Sequence, residues 1–424
     1  MHSTQAIAMR AYVLHPDLKS DRNRRLPEHG LAEAVSLAGA LPNLDVVGAE
    51  VVRLARLQPG LLFGSGKVEE LKARFHDLSV GLVLVDGSVS PVQQRNLEKE
   101  WGVKLLDRTG LILEIFADRA RTREGVLQVE LAALSYQRTR LVRAWTHLER
   151  QRGGFGFVGG PGETQIESDR RAIDDQVIRI KRQLDKVVKT RELHRASRRK
   201  VPFPLVALVG YTNAGKSTLF NRMTGADVLA KDMLFATLDP TMRGVVLPSG
   251  RKVIASDTVG FISDLPTQLV AAFRATLEEV LEADLILHIR DIAHPESAEQ
   301  AADVADILTS LGVKTTTPMI EVWNKLDLVD PSLQASLVAQ ADGISGVHAI
   351  SAVTGEGLDA LLDALSGHLD DEKTDVTLSL GFADGRKRAW LHAEGVVVAE
   401  DQSYTGHRLD VRWTARQAAR YASL

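Results

Sequence analysis

Gly210-Tyr211-Thr212-Asn213-Ala214-Gly215-Lys216-Ser217 is the stretch on which the reading of this chain turns. It fits the phosphate-loop pattern G-x-x-x-x-G-K-[ST] at every fixed position. It follows an apolar, strand-like run, Leu205–Val209, and opens a helical pattern at Thr218. That context is what the chemistry requires. Glycines let successive backbone N–H groups wrap phosphate oxygens, and the N-terminus of the following helix adds favourable dipole charge. Lys216 is expected to reach the β- and γ-phosphates, and the Ser217 hydroxyl to ligate Mg²⁺.

Three downstream segments narrow the ligand to GTP/GDP. Asp257-Thr258-Val259-Gly260 follows the strand-like Lys252–Ser256. Its carboxylate is placed to hold the metal through water, and the Gly260 N–H to sense the γ-phosphate. Asn324-Lys325-Leu326-Asp327 follows Met319–Val322. The Asp327 carboxylate can accept from both N1 and N2 of guanine, whereas adenine offers no matching donor pair and leaves the charge unpaired. Ser351-Ala352-Val353 follows Val347–Ile350, where a backbone N–H meets guanine O6. Each segment is weak alone; in this order, each at the C-terminal end of a strand, they specify a guanine-nucleotide site.

Between the phosphate loop and Asp257 lies Phe235-Ala236-Thr237-Leu238-Asp239-Pro240-Thr241. A threonine here should close over Mg²⁺ in the triphosphate state and let go after hydrolysis. Thr237 is the first candidate and Thr241 its competitor. The predicted catalytic groups are therefore Lys216, Thr237 and Gly260, and the predicted metal ligands Ser217, Thr237 and Asp257. Ras-like proteins place a glutamine directly after the D-x-x-G segment to position the attacking water. Here that place holds Phe261, followed by Ile262, and neither polarises water. Asn213 offers a partial substitute, as a ligand for a potassium ion that supplements charge stabilisation, so K⁺ dependence and slow, partner-stimulated turnover are expected.

The flanking sequence is that of a multidomain α/β protein. At 424 residues the chain is too long for one ordinary core. Its composition, 44% hydrophobic and 25% charged, is globular. No apolar run approaches a membrane span, the start Met1-His-Ser-Thr-Gln lacks secretory features, and the absence of cysteine excludes disulfides and thiolate metal sites. A reducing cytoplasm fits these features. The first third alternates strand-like Ala11–Leu14, Asp45–Leu54, Val80–Val85 and Val103–Leu106 with helical Leu31–Ala40, Val68–Leu78, Pro91–Trp101 and Leu111–Ala120, which implies a small parallel-sheet domain over 1–120.

Residues 121–200 read as a helical hairpin. Ile166, Ile173, Val177, Ile180, Leu184 and Val187 form a narrow stripe, and Leu127, Leu131 and Leu134 begin a similar face. Gly153–Gly162 holds six glycines in ten residues, a loop rather than helix interior. From Tyr136 to Lys200 there are 17 Lys and Arg against 8 Asp and Glu, although the net charge of the chain is only -3. That excess reads either as a footprint for nucleic acid or as a solvated helical surface. The nucleotide domain is expected over 201–368, with Leu285–Ile289 as a further strand. A small, mostly-β C-terminal domain is expected over 369–424, with strands Val376–Leu380, Arg388–His392, Val396–Ala399 and Leu409–Trp413, and Trp390 and Trp413 anchoring its core.

Taken together, Gly64-Ser-Gly-Lys-Val-Glu-Glu70, Ser90-Pro-Val-Gln-Gln-Arg-Asn-Leu-Glu98, Asp107-Arg-Thr109, Leu127-Gln-Val-Glu-Leu131, Gly160-Pro-Gly-Glu-Thr-Gln165 and Asp169-Arg-Arg171 make the whole chain resemble the HflX family of ribosome-associated P-loop GTPases. The resemblance implies a family-specific N-terminal domain joined by the hairpin to the GTPase domain. It also implies binding to the large ribosomal subunit and its rRNA, with the glycine-rich tip near the peptidyl-transferase centre, and splitting or rescue of stalled or idle ribosomes under stress. No DNA partner is expected. Many members carry an Arg just before Gly-Pro-Gly-Glu where this chain has Gly159, which removes one phosphate contact. Arg150, Arg152, Arg170 and Arg171 flank the tip and suit RNA phosphates. Gly64-Ser-Gly-Lys67 reads as a strand-to-helix turn rather than a second nucleotide site, because the Ser/Thr after Lys is missing. Two rival readings stay open: an ATP-driven RNA remodeller using the N-terminal domain, and a GTP-gated switch whose hydrolysis is only a timer.

Overall fold

Short apolar runs bounded by Gly, Pro and Asp give strands, and the amphipathic stretches between them give the covering helices. A computed structural model describes residues 8–18, 26–151, 161–198, 203–226, 234–235, 237–238, 241–263, 279–314, 316–369, 373–404 and 406–422. By contact the chain divides into two units, one comprising 1–245 with 252–360 and the other 246–251 with 361–424.

The first unit opens with β1 (Met9–Leu18), α1 (Pro27–Gly39), β2 (Leu44–Leu54), α2 (Ser65–Asp77), β3 (Leu82–Val85), α3 (Pro91–Trp101), β4 (Lys104–Asp107) and α4 (Arg108–Arg119). The strands form a four-stranded parallel sheet in the order β2-β1-β3-β4. Local chemistry fixes the helix ends. Ser90 and Gln93 close a capping box at the start of α3, Pro91 occupies its first turn, and Gly102, at φ 72°, ends it in the left-handed conformation. Alternation along β1 sends Tyr12 and Leu14 to a core with Phe63, Phe75 and Trp101, and Ala11 and Val13 to the opposite face with α1 and α4.

Next come two long helices, α5 (Arg123–Gln151) and α6 (Pro161–Arg198). They pack through Leu127, Leu134 and Ile180, with Leu131, Ile173, Val177, Leu184 and Val187 partly buried alongside. The helical stripe in the sequence is thus the seam of this hairpin. Its tip, 152–160, lies outside the described residues, as do the side chains of Ile166, Arg150 and the basic 191–200. Asp107 fastens α5 to the sheet, accepting from the Tyr136 hydroxyl and from Arg140, both at 2.6 Å.

The nucleotide-binding part contributes β5 (Leu205–Gly210), α7 (Lys216–Thr224), β6 (Thr241–Val246), β7 (Lys252–Asp257), β8 (Leu285–Asp291), α8 (Ser297–Leu311), β9 (Met319–Asn324), α9 (Pro331–Asp342), β10 (Val347–Ala349) and α10 (Leu358–Leu369). Its sheet runs β10-β9-β8-β5-β7-β6, and the strands from β10 to β7 pair in parallel. β6 is an edge strand that the apolar pattern does not announce, since Val245 is its only buried residue.

The second unit holds a three-stranded antiparallel sheet of β11 (Lys373–Leu380), β12 (Val397–Ser403) and β13 (Gly406–Thr414), ordered β11-β13-β12. It also holds α11 (Gly385–Ala393) and α12 (Ala415–Ala422). One expectation is corrected here: Arg388–His392 is helix, not strand. The run Arg386-Lys-Arg-Ala-Trp-Leu-His has no alternation and consists mostly of residues at ease in a helix. It needs to bury only Leu391, which meets Leu380, Val396, Leu409, Val411 and Trp413 in the small core. Trp390 is partly buried beside that core. Among the described residues no helix is long and apolar enough to cross a membrane.

Candidate functional site

The site forms along the C-terminal ends of β5, β7, β9 and β10, where an open α/β sheet leaves its loops free to meet a ligand. At Gly215 φ is 92°, and a Cβ there would lie 2.2 Å from the Asn324 amide nitrogen. Only glycine lets the loop turn this tightly beneath β9. The following residue, Lys216, is buried and donates to the carbonyls of Tyr211 at 2.8 Å and Gly210 at 3.2 Å. Burial pulls its ammonium pKa down to about 8, against the opposing pull of Asp257.

Ser217, Thr237 and Asp257 come together. The Ser217 hydroxyl donates to Asp257 Oδ2 at 2.7 Å, Thr237 Oγ1 donates to the same oxygen at 2.9 Å, and the two hydroxyls are 2.9 Å apart. Burial raises the Asp257 pKa although Ser217, Lys216 and Thr237 all favour its charged form. Its other oxygen, Oδ1, is buried without a hydrogen-bond partner among the described residues. Two hydroxyls and an under-satisfied carboxylate are the hard oxygen donors that a small divalent cation takes. The donor set therefore fits Mg²⁺. Thr241 lies in β6 instead, outside this group.

The Asp257–Phe261 segment is sewn onto the phosphate loop. The Thr212 N–H donates to the Phe261 carbonyl at 2.7 Å, and the Phe261 N–H to the Gly210 carbonyl at 3.1 Å. Between them sits Gly260, where a Cβ would lie 2.8 Å from Thr212 Cγ2 and 3.2 Å from the Lys216 ammonium. The Phe261 ring itself is in the hydrophobic core. Thr258 is buried and donates to the Leu208 carbonyl at 2.6 Å, and Val259 is buried. Thr212 Oγ1 is buried without a partner among the described residues.

Asn324 ties the end of β9 to the loop before α7 and to the segment after β10. Its amide donates to the Ala214 carbonyl at 2.8 Å, and its oxygen accepts the Ala352 N–H at 2.9 Å. Lys325, at φ 69°, pairs with Asp291 at 2.8 Å. Asp327 is exposed at the rim and accepts the Ser351 hydroxyl at 2.6 Å. Leu326 is buried beneath it, and Val353 is exposed. Asn213 is exposed in the loop at φ 60°, Thr218 lies in the first turn of α7, and Ala236 and Asp239 fall outside the described residues. Phe235 and Leu238, on either side of Thr237, are buried. At the other sequence match, Gly64–Lys67, the Lys67 ammonium is engaged by Glu50 at 2.6 Å and Glu70 at 2.8 Å.

Sequence reasoning missed the residues of the N-terminal part that touch this site. Glu33 accepts the Tyr211 hydroxyl, and Arg108 donates to the Ser263 carbonyl at 3.0 Å. No motif marks Glu33, and Asp107-Arg-Thr109 marks Arg108 without saying what it touches, because the contact exists only once two separate sheets are packed.

Family models described as GTP-binding GTPase N-terminal, GTP-binding GTPase Middle Region, 50S ribosome-binding GTPase and HflX C-terminal domain match residues 28–117, 119–198, 205–325 and 336–422. A protein of Magnetococcus marinus named GTPase HflX is 48% identical over 398 residues, covering 94% of this chain and 90% of that one. The Escherichia coli protein of the same name is 46% identical over 350 residues, covering 80% and 82%. The crystal structure of a GTP-binding protein from Sulfolobus solfataricus in complex with GDP is 23% identical and covers 85% of this chain and 98% of that one, with a TM-score of 0.46.

Proposed function

The chain belongs to the HflX family of GTPases and binds and hydrolyses GTP; from that premise we propose that it couples the hydrolysis to binding and release of the large ribosomal subunit, in the cytoplasm, in the course of splitting or rescuing stalled ribosomes. The observation that carries the switch is the junction of Thr237 with Ser217 and Asp257, all within 2.9 Å. Closure of the Thr237 hydroxyl over the metal site is lost when the γ-phosphate leaves.

In this reading the Gly210–Ser217 amides and Lys216 bind the phosphates. Ser217 and Thr237, with Asp257 through water, would hold Mg²⁺, which would supply positive charge against the phosphates. The Gly260 N–H holds the γ-phosphate, and water attacks in line. Asp327 accepts the guanine N1 and N2 donors; a guanine O6 reaching the Ala352 N–H shares it with Asn324. Asn213, exposed on the loop, would hold a K⁺, which would supplement charge stabilisation where no glutamine follows Gly260. Four domains divide the labour: 1–120, the hairpin 121–200, the GTPase domain 201–368 and the C-terminal 369–424. The hairpin, with 17 basic against 8 acidic residues from Tyr136 to Lys200, carries the rRNA contact.

The test is GTP turnover with and without purified large subunits, in K⁺ buffer, for the wild type and Lys216→Ala. Stimulation of the wild type alone is expected. Unchanged turnover on adding subunits would leave the GTPase standing and remove the ribosome from its cycle.

A further inference from the structure

Both segments that sense the γ-phosphate are covered by the N-terminal part of the same structural unit. Phe235 and Leu238 flank Thr237 and are 2% and 3% exposed. They belong to one continuous core with Leu113 and Phe116 of α4. The Phe116 and Phe235 rings meet edge-to-face, centroids 4.6 Å apart and planes at 81°.

The second contact is polar and centres on Ser263, three residues beyond Gly260. Its N–H donates to the Tyr211 hydroxyl oxygen at 3.0 Å. Its carbonyl accepts from Arg108 at 3.0 Å, and its hydroxyl donates to Glu33 Oε1 at 3.1 Å. Tyr211, from the phosphate loop, donates its own hydroxyl proton to Glu33 Oε2. Arg108 is fixed from behind by Glu33 and by Asp86, whose other oxygen pairs with His15 at 2.7 Å. Every polar group of Ser263 is thus engaged by a phosphate-loop tyrosine or by a residue of the N-terminal sheet and its helices.

These contacts exist with Thr237 seated against Ser217 and Asp257, the arrangement the triphosphate needs. The Phe261 ring is in the core, and the main chain just beyond Gly260 is held by Tyr211, Glu33 and Arg108. We propose that the N-terminal domain acts in cis as an effector of the GTPase site: Glu33 and Phe116 are positioning residues that hold both switch segments in the triphosphate arrangement and so favour GTP over GDP. By thermodynamic linkage, the γ-phosphate in turn tightens the contact between the two parts of the unit. The proposal rests on Thr237 being the residue that closes over the metal.

The experiment measures affinities for a non-hydrolysable GTP analogue and for GDP, together with kcat and KM for GTP, on the full chain with Mg²⁺. The proteins are wild type, Glu33→Gln, Phe116→Leu, the double variant Glu33→Gln/Tyr211→Phe with Tyr211→Phe alone, and Thr237→Ala. Glu33→Gln and Phe116→Leu are each expected to weaken the analogue about tenfold, or about 1.4 kcal/mol, while GDP moves less than about twofold. In the cycle, the coupling between Glu33 and Tyr211 is larger with analogue than with GDP, a difference that a merely structural hydrogen bond does not produce. Equal losses for both nucleotides, or none, with Thr237→Ala still selective against the analogue, would overturn the effector role. If Thr237→Ala itself leaves the analogue-to-GDP ratio unchanged, the reading of Thr237 is what fails. Should Phe116→Leu not fold, Glu33→Gln and the cycle decide the matter.

Discussion

Nucleotide binding at alkaline pH should take up a proton, and Lys216 is the group that accepts it. This ammonium is buried with two carbonyls for partners, and burial pulls its pKa down to about 8. A phosphate at the loop replaces those neutral partners with a multiple negative charge, which restores a pKa near or above the ordinary lysine value of about 10.4. At pH 8 about half of the free sites are neutral and nearly all of the bound ones are charged, so binding takes up about half a proton. At pH 9 the uptake rises to about 0.9, and at pH 7 it falls to about 0.1. The terminal phosphate at pH 7 and guanine N1 at pH 9 exchange protons of their own, and these contributions are common to Lys216→Arg and are subtracted with it. The assay is calorimetric titration of GDP in buffers of different ionisation enthalpy at pH 7, 8 and 9, with Lys216→Arg as control. The sign for stability is also fixed. Between pH 8 and 10.4 the unfolded chain binds the proton that the folded, nucleotide-free site gives up, so nucleotide-free stability rises through that window, by about 3 kcal/mol in all. Uptake below about 0.1 proton at pH 8.5, or equal uptake in Lys216→Arg, would refute the account of a desolvated lysine.

Three further outcomes follow from other contacts. Asn324→Ala leaves the Ala214 carbonyl and the Ala352 N–H buried and unpaired, so GTP and GDP affinity should fall together and nucleotide-free stability should drop by about 2–4 kcal/mol in a urea titration; an unaffected midpoint would show the bridge to be dispensable. His288 is buried and its pKa is pushed down to about 4 by burial. The unfolded chain therefore binds a proton that the folded histidine refuses between about pH 6.5 and 4, stability declines as pH falls through that window, and His288→Leu should flatten the decline by up to about 3 kcal/mol. Replacing K⁺ by Na⁺ at constant ionic strength should slow GTP turnover in the wild type but not in Asn213→Ala, and equal rates in the two salts would remove potassium from the mechanism.

What the sequence alone determined is what short-range geometry encodes. The phosphate loop was legible because its glycines and its strand-loop-helix context are local requirements. The Asp257, Asn324 and Ser351 segments were legible because each sits at the end of an apolar strand. The seam of α5 and α6 was legible because Leu127, Leu134, Ile173, Val177 and Ile180 recur at helical spacing. β6 escaped because an edge strand with one buried residue has no apolar signature. Arg388–His392 was misread because a short segment with a single buried leucine displays neither period clearly. Tertiary structure alone decided which distant groups meet. Glu33 and Tyr211 are 178 residues apart and Glu33 and Ser263 230 apart, and Phe116 finds Phe235 only through a shared core. A carboxylate on α1 looks like any solvated helix residue until a second sheet packs against it. Its role comes from the cost of burying charge and hydroxyl without partners, and that cost arises only when the two parts of the unit close on each other.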